Sequence, residues 1–519
     1  MAYINIPSLN YKLNFNIKLN NENNENNENN ENNEINEIKI STSLYKHIIF
    51  IKQQIHENND IWDFYKKITN PYEYIHTPPI CNINLSVCKY KPLSRSFFKM
   101  IEIIYVFNIL NDENNINSFH LAEGPGGFIE AFNYYRNNKN DKYYGMTLIS
   151  NDINVPSWKK SNNYINLNKN IKIVVGDSKN GDLFLKKNLL YINNNFKESM
   201  DYITADGGFD FSIDFNKQEE LSLKLIISQI FYAIIMQKNN GNFILKIFDM
   251  FNIKTVEFIF LLTNCYQNIY IYKPNTSRIA NSEKYIICKN FKLNIFTNNI
   301  KSYIINNFDY ILDNIHNIKT FFNITLPKLF LNKIEEINAI YGQQQLENIN
   351  NTLNLIREYN NLKNKIPLNQ LDNLLILDNT IKINQHNETN EDNETDKINE
   401  LKNNTSNSIQ VINKEDNFSK NFDLSPSNSE KFSLSPKDSS YLDKYGINII
   451  DNINLNENLN ENLNENLNEN LNENLNENHN INFDKFKNRL LVLKNINVQK
   501  SISWCNKYNL PINKNIFLN

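Results

Sequence analysis

At 519 residues the chain is long enough for two or three domains, but composition lowers that number: Asn is used far beyond the norm, Gly and Pro are scarce at 11 and 13, and the net charge is −3. Five scattered cysteines form no CxxC pair and have no His partners at zinc spacing, which predicts a reduced, intracellular protein without structural metal. No apolar run reaches the length of a membrane span and Met1 is not followed by a leader-like segment, so a soluble protein is expected.

Residues 1–40 carry an Asn-Asn-Glu repeat from Asn20 to Glu37 and read as a largely disordered segment. Residues 41–90 form the flank of the next block. Their aromatics Trp62, Phe64, Tyr65, Tyr72 and Tyr74 read first as core, and second as a stacking surface for a nucleobase. Residues 91–290 alternate strands and helices. The apolar runs Phe119 to Ala122, Tyr143 to Thr147, Ile171 to Val175, Tyr202 to Ala205, Asn242 to Phe248, Ile269 to Lys273 and Lys284 to Cys288 predict seven strands. Apolar residues at i, i+3, i+4 spacing predict helices over Ser94 to Phe107, Gly127 to Tyr135, Lys217 to Lys238 and Thr255 to Thr263. Such alternation implies an α/β fold with a mainly parallel sheet and helices on both faces. Residues 291–370 read as an all-helical extension. Residues 371–482, with a Leu-Asn-Glu-Asn repeat from Leu455 to Asn478, read as disordered low-complexity chain, since one leucine per turn buries little. Residues 483–519 predict two short amphipathic helices that pack back on the core through Trp504.

Gly124-Pro125-Gly126-Gly127 follows the first of the seven strands and opens a helix, which brings backbone N–H groups and a helix N-terminus to a ligand. Alone it is as well explained by an ordinary β-to-α turn. Its place at a strand's carboxyl end favours a ligand site, and the missing third glycine of G-x-G-x-x-G favours a sulfonium nucleoside over a pyrophosphate. Asp177, after the third strand, is placed to accept hydrogen bonds from an adenine amino group or sugar hydroxyl, or is a plain loop residue. Asp206, before Gly207-Gly208, projects over the same crevice. Lys246 is a charge inside an apolar strand. It is either a snorkelling side chain or, as preferred here, a functional amine of lowered pKa. Lys99 and Glu283 are nondescript alone.

Taken in order, Ser94-Arg95-Ser96-Phe97-Phe98-Lys99-Met100, Ala122 to Phe128, Gly145-Met146-Thr147-Leu148, Gly176 to Asp182, Ala205 to Phe209, and Tyr272 to Tyr285 resemble the FtsJ-like ribose 2'-O-methyltransferases, specifically their cap-specific mRNA branch. The resemblance spans roughly residues 90 to 290. It implies a Rossmann-like class I S-adenosylmethionine-dependent methyltransferase fold with a seven-stranded sheet, and a catalytic tetrad of Lys99, Asp206, Lys246 and Glu283. The cofactor residues it implies are Glu123, Gly124, Pro125, Gly126, Gly127, Phe128, Asp177 and Asp206, with no metal. Capped mRNA is the implied substrate and transcription or capping machinery the implied partner, without a membrane. Lys99 is expected to push the Lys246 pKa down while Asp206 and Glu283 oppose it. The alternatives are an rRNA or tRNA 2'-O-methyltransferase and an inactive RNA-binding scaffold. A cellular cap enzyme would be nuclear, and a viral one cytoplasmic or virion-associated.

Overall fold

A computed structural model of the chain describes residues 3–8, 11, 13–20, 39–77, 86–111, 114–150, 152, 155–208, 215–322, 324–363 and 467–513. The bulk of the low-complexity segment expected to be disordered, residues 371–466, lies outside the described residues, as does Cys81. In chain order the elements are β1 Ile4–Ile6, β2 Phe15–Leu19, α1 Thr42–His56, α2 Asn59–Thr69, α3 Ser96–Phe107, β3 Asn117–Leu121, α4 Gly127–Arg136, β4 Lys142–Met146, α5 Asn162–Leu167, β5 Ile171–Ile173, α6 Lys186–Phe196, β6 Met200–Ala205, α7 Gln218–Met236, β7 Gln237–Ile247, α8 Ile253–Cys265, β8 Tyr266–Tyr272, β9 Lys284–Phe291, α9 Ile295–Asp313, β10 Ile318–Phe322, α10 Lys328–Lys363 and α11 Leu467–Lys507. The described residues up to 363, with residues 481–513, belong to one compact unit, and residues 467–480 to a second. Among the described residues no helix is long and apolar enough to cross a membrane.

The main sheet runs β1-β8-β9-β7-β6-β3-β4-β5. Neighbours from β5 to β7 pair in parallel, whereas β9 pairs antiparallel with β7 and β8. Strand order reverses between β3 and β6, so a crevice opens at their carboxyl ends, where open α/β sheets bind ligands. All seven expected strands are present, and the chain adds an eighth: β1 pairs with β8 through Ile4 to Ile6. A second, two-stranded sheet joins β2 to β10. The N-terminal segment thus forms strands where its apolar residues find an edge, whereas residues 21–38, which hold nearly all of the Asn-Asn-Glu repeat, lie outside the described residues. Phe15 stacks on Tyr303 with ring centroids 4.4 Å apart. The extension expected to be all helical is likewise interrupted by β10, whose Phe321 and Phe322 are buried.

Alternate residues of β7 divide between two cores, as the period of two demands. Phe243, Leu245 and Ile247 face α7, α8 and α9, while Ile244 faces α3, α4 and the end of α11. A third cluster joins α1 and α2 to α10 and α11 through Ile55, Trp62, Tyr65, Ile349, Tyr359 and Phe486. Trp62, Tyr65 and Tyr74 are buried, so core packing is their role. The C-terminal piece is one continuous helix in place of the two expected, because no Gly or Pro interrupts residues 467–507. It begins inside the Leu-Asn-Glu-Asn repeat, since an anchored helix extends with no new nucleation step. Asn serves several left-handed positions in this glycine-poor chain: Asn108, Asn137, Asn240 and Asn290 all have φ between 44° and 63°.

Near the crevice, buried Glu73 holds two arginines: Arg278 Nη2 lies 2.7 Å from its Oε1, and Arg95 Nη1 3.6 Å. Burial alone would raise its pKa, but the two guanidiniums hold it far below the ordinary carboxylate range. Glu73→Ala leaves two cations without their counter-charge, and an unfolding loss of about 3 kcal/mol is expected by denaturant titration. A loss below ~0.5 kcal/mol, the usual range for a surface site, would mean that solvent already satisfies both arginines.

Candidate active site

The turn after β3 is built so that backbone reaches the crevice. Ala122 and Gly126 take positive φ, Gly126 N donates to Glu123 O at 2.6 Å, and α4 starts at Gly127 with Glu130 N donating to Gly126 O. Glu123 Oε1 accepts from Phe128 N and thereby fixes the helix entry. A Cβ on Gly124 would lie 2.9 Å from Pro156 O, and one on Gly126 3.3 Å from the Trp158 ring. Burial, with the charge of Asp206 in second place, pushes Glu123 well above the ordinary carboxyl range. Its Oε2 is buried without a hydrogen-bond partner.

Beside this turn the four expected catalytic residues meet. Lys246 shares a face of β7 with Ile244, one residue from the strand's end, which lets an amine emerge at the crevice while Leu245 and Ile247 enter the opposite core. Its Nζ lies 3.3 Å from Asp206 Oδ1 and donates to Asp206 O at 2.6 Å. Lys99 Nζ, on α3, lies 2.7 Å from Glu283 Oε1. The two pairs are linked by Tyr285, whose hydroxyl is 2.8 Å from Glu283 Oε1 and 3.0 Å from Asp206 Oδ1. Antiparallel pairing puts Tyr285 directly opposite Lys246. A Cβ on Gly208 would be 3.1 Å from the Lys246 amine, so glycine keeps the space beside it open.

The electrostatics differ from the expected pattern in one respect. Burial acts to lower the Lys246 pKa, but Asp206 and Glu283 outweigh it and the net shift is upward. The leading influences on Lys246 are burial and these carboxylates, while the Lys99 ammonium pairs with Glu283. The Glu283 carboxyl, buried but faced by Lys99 and Lys246, is held well below the usual carboxylate range. Burial and the two carboxylates raise Tyr285 well above the ordinary phenol range, so it remains a protonated bridge.

Of the expected cofactor residues, the Glu123 to Phe128 turn and Asp206 border the crevice. Asp177 is exposed in the loop after β5. That loop folds on the end of β4, with Ile149 N donating to Asn180 O at 2.7 Å. Sequence reasoning missed Tyr285, which reads as an apolar strand residue, although its spacing of two from Glu283 is the signal that both share a face. It also missed Lys273, a buried lysine whose Nζ donates to Asn281 O and, at 2.9 Å, to Glu283 O. Burial and the neighbouring Lys284 bring the Lys273 pKa down to about 7.

Residues 92–291 match the FtsJ-like methyltransferase family. This segment is an FtsJ-like methyltransferase domain. The chain is 28% identical over 321 residues to a protein of Danio rerio named cap-specific mRNA (nucleoside-2'-O-)-methyltransferase 2, covering 59% of this chain and 42% of that one. It is 29% identical over 267 residues to the cap-specific mRNA (nucleoside-2'-O-)-methyltransferase of Autographa californica nuclear polyhedrosis virus, covering 51% of this chain and 86% of that one. It is also 31% identical over 192 residues to a Caenorhabditis briggsae protein named inactive cap-specific mRNA (nucleoside-2'-O-)-methyltransferase 1B, covering 35% and 22%. The chain thus spans less than half the length of the Danio rerio relative. The FtsJ-like domain ends shortly after Glu283, so α1, α2, α9, α10 and α11 are additions around it.

Proposed function

We propose that the chain is an RNA methyltransferase that moves a methyl group from S-adenosylmethionine to the ribose 2'-hydroxyl of an initial transcribed nucleotide of capped mRNA. The observation that carries the reading is the continuous series Lys99, Glu283, Tyr285, Asp206 and Lys246 beside a glycine turn at the strand ends. The cap-specific names of relatives support the choice of acceptor. The relative named inactive means that likeness alone does not decide activity; the intact series does favour it.

The residues present fit the donor. The glycines of the turn leave its backbone bare, and the unpartnered Glu123 Oε2 offers a polar contact there. S-adenosylmethionine supplies, when bound, an electrophilic methyl group on a sulfonium whose positive charge also opposes the ammonium form of Lys246. A ribose hydroxyl is a weak nucleophile at neutral pH and needs a positioned base. The Lys246 amine takes its proton once neutral, Asp206 orients that amine through its carboxylate and carbonyl, and Glu283 holds Lys99 at the other side of the acceptor position. Fixing the acceptor in line supplies much of the remaining acceleration.

The test is methyl transfer by the full chain to capped and uncapped RNAs of one sequence. Transfer to capped RNA alone is expected. Equal transfer to both would shift the acceptor to rRNA or tRNA, and donor binding without transfer would make the domain a scaffold. A pH dependence follows as well. The neutral amine is the working form and the carboxylates raise its pKa in the free protein, so kcat/KM should climb about tenfold per pH unit upward from neutrality. A flat profile with chemistry rate-limiting would remove Lys246 from the role of base.

A further inference from the structure

Glu102 lies one turn beyond Lys99 on α3 and is fully buried. Its carboxylate receives donors from two separate parts of the chain, residues 272–276 and the end of α11. Tyr272 at the end of β8 donates its hydroxyl to Oε1 at 2.5 Å, and Asn275 adds its backbone N at 2.8 Å and its Nδ2 at 2.9 Å. Thr276 N reaches Oε2 at 3.3 Å. The last donor is Trp504 Nε1 of α11, 3.1 Å from Oε2 and 402 residues away in sequence. The Trp504 ring also meets Phe98, the neighbour of Lys99, edge on.

All these donors are neutral. A buried carboxylate is costly unless every lone pair is used, and apolar side chains would fill the same volume at lower cost. What the carboxylate adds is direction. The segment from Tyr272 to Lys284 connects β8 to β9 and carries Glu283 near its end. Glu102 ties its beginning to the very helix that presents Lys99, while Lys273 ties its end through Asn281 O and Glu283 O. The separation of Lys99 and Glu283 is thereby set from both sides.

We propose that Glu102 and Trp504 form a positioning pair for the methyl-transfer site, which makes the C-terminal helix, outside the FtsJ-like domain, a working part of that site. The proposal rests on the function given above, and its test separates the two. Full-length Trp504→Phe keeps the ring and loses the Nε1 donor; Glu102→Gln keeps the shape and loses the charge. In Trp504→Phe, kcat on capped RNA should fall on the order of tenfold, because small misplacements of reacting groups carry large rate penalties. The affinity for S-adenosylmethionine, measured by calorimetry, should stay within about twofold, since the glycine turn is untouched. Glu102→Gln should fall further, and the double variant should match Glu102→Gln alone, as expected for residues acting through one bond network. Backbone amides from Asn275 to Glu283 should exchange hydrogen faster in both variants. Unchanged kcat in both, multiplicative losses in the double variant, or unchanged amide protection would each overturn the pair. If the wild-type chain methylates no RNA, the function falls, and the exchange measurement still decides whether Trp504 and Glu102 hold the Glu283 segment.

Discussion

Lys246→Ala is expected to lower methyl transfer to the ribose 2'-hydroxyl by about 10³-fold or more, the upper part of the range for losing a positioned base. The affinity for S-adenosylmethionine should stay near wild type, because Lys246 contacts Asp206 and not the turn at Gly124 to Gly127. Removing the amine also takes a donor from the Asp206 carbonyl and a cation from its carboxylate, so some local loosening will accompany the loss. Lys246→Arg separates the two effects: it keeps a cation beside Asp206 but cannot lose a proton at working pH. Its rate should remain near that of the alanine variant. Substantial activity in the arginine variant would mean that position 246 needs only positive charge, and the base would have to be sought elsewhere.

Gly126→Val is expected to weaken S-adenosylmethionine binding by about 100-fold, since a β-branched residue cannot hold the positive φ this turn requires. Gly126 sits at φ 106° and a Cβ there meets the Trp158 ring at 3.3 Å, so both backbone and ring must shift. The shift re-aims the amides of Gly127 and Phe128 at the head of α4. The sheet cores do not depend on this residue, so the circular dichroism spectrum should be unchanged. Calorimetry with S-adenosylmethionine gives the test, and wild-type affinity would place the donor site away from this turn.

The seven strands β3 to β9 are legible in the sequence because each contains a short run rich in β-branched or aromatic residues between helical or turn segments. The edge strands β1 and β2 are not, since three or five residues among asparagines carry no period of their own and become strands only where β8 and β10 offer partners. Two helices near the C-terminus were expected where one exists, because the interval between the apolar groups of Phe483 and Trp504 reads as a break although it lacks a breaker. At the site, Lys246 and Asp206 stand out by their position within or after apolar strands. Lys99 and Glu283 gain meaning only from the family pattern. The direction of the Lys246 shift was beyond sequence reasoning, because it depends on whether burial or the carboxylates of Asp206 and Glu283 prevail, which their distances in the fold decide. Glu102 and Trp504 were illegible as a pair, since nothing in a sequence joins residues 402 positions apart.

The pairing of Lys246 with Tyr285 across antiparallel strands limits where this chain can change its length. One residue inserted or deleted between Glu283 and Tyr285 would turn one of them to the opposite face and break the link from Lys99 to Asp206. The same event between Asn20 and Lys39, or between Lys363 and Leu467, falls outside every strand among the described residues and leaves the registers described above as they are. The Asn-Asn-Glu repeat falls in the first interval and the first half of the Leu-Asn-Glu-Asn repeat in the second. Expansion or loss of repeat units in these two stretches is therefore expected to leave the Lys246–Tyr285 register unchanged.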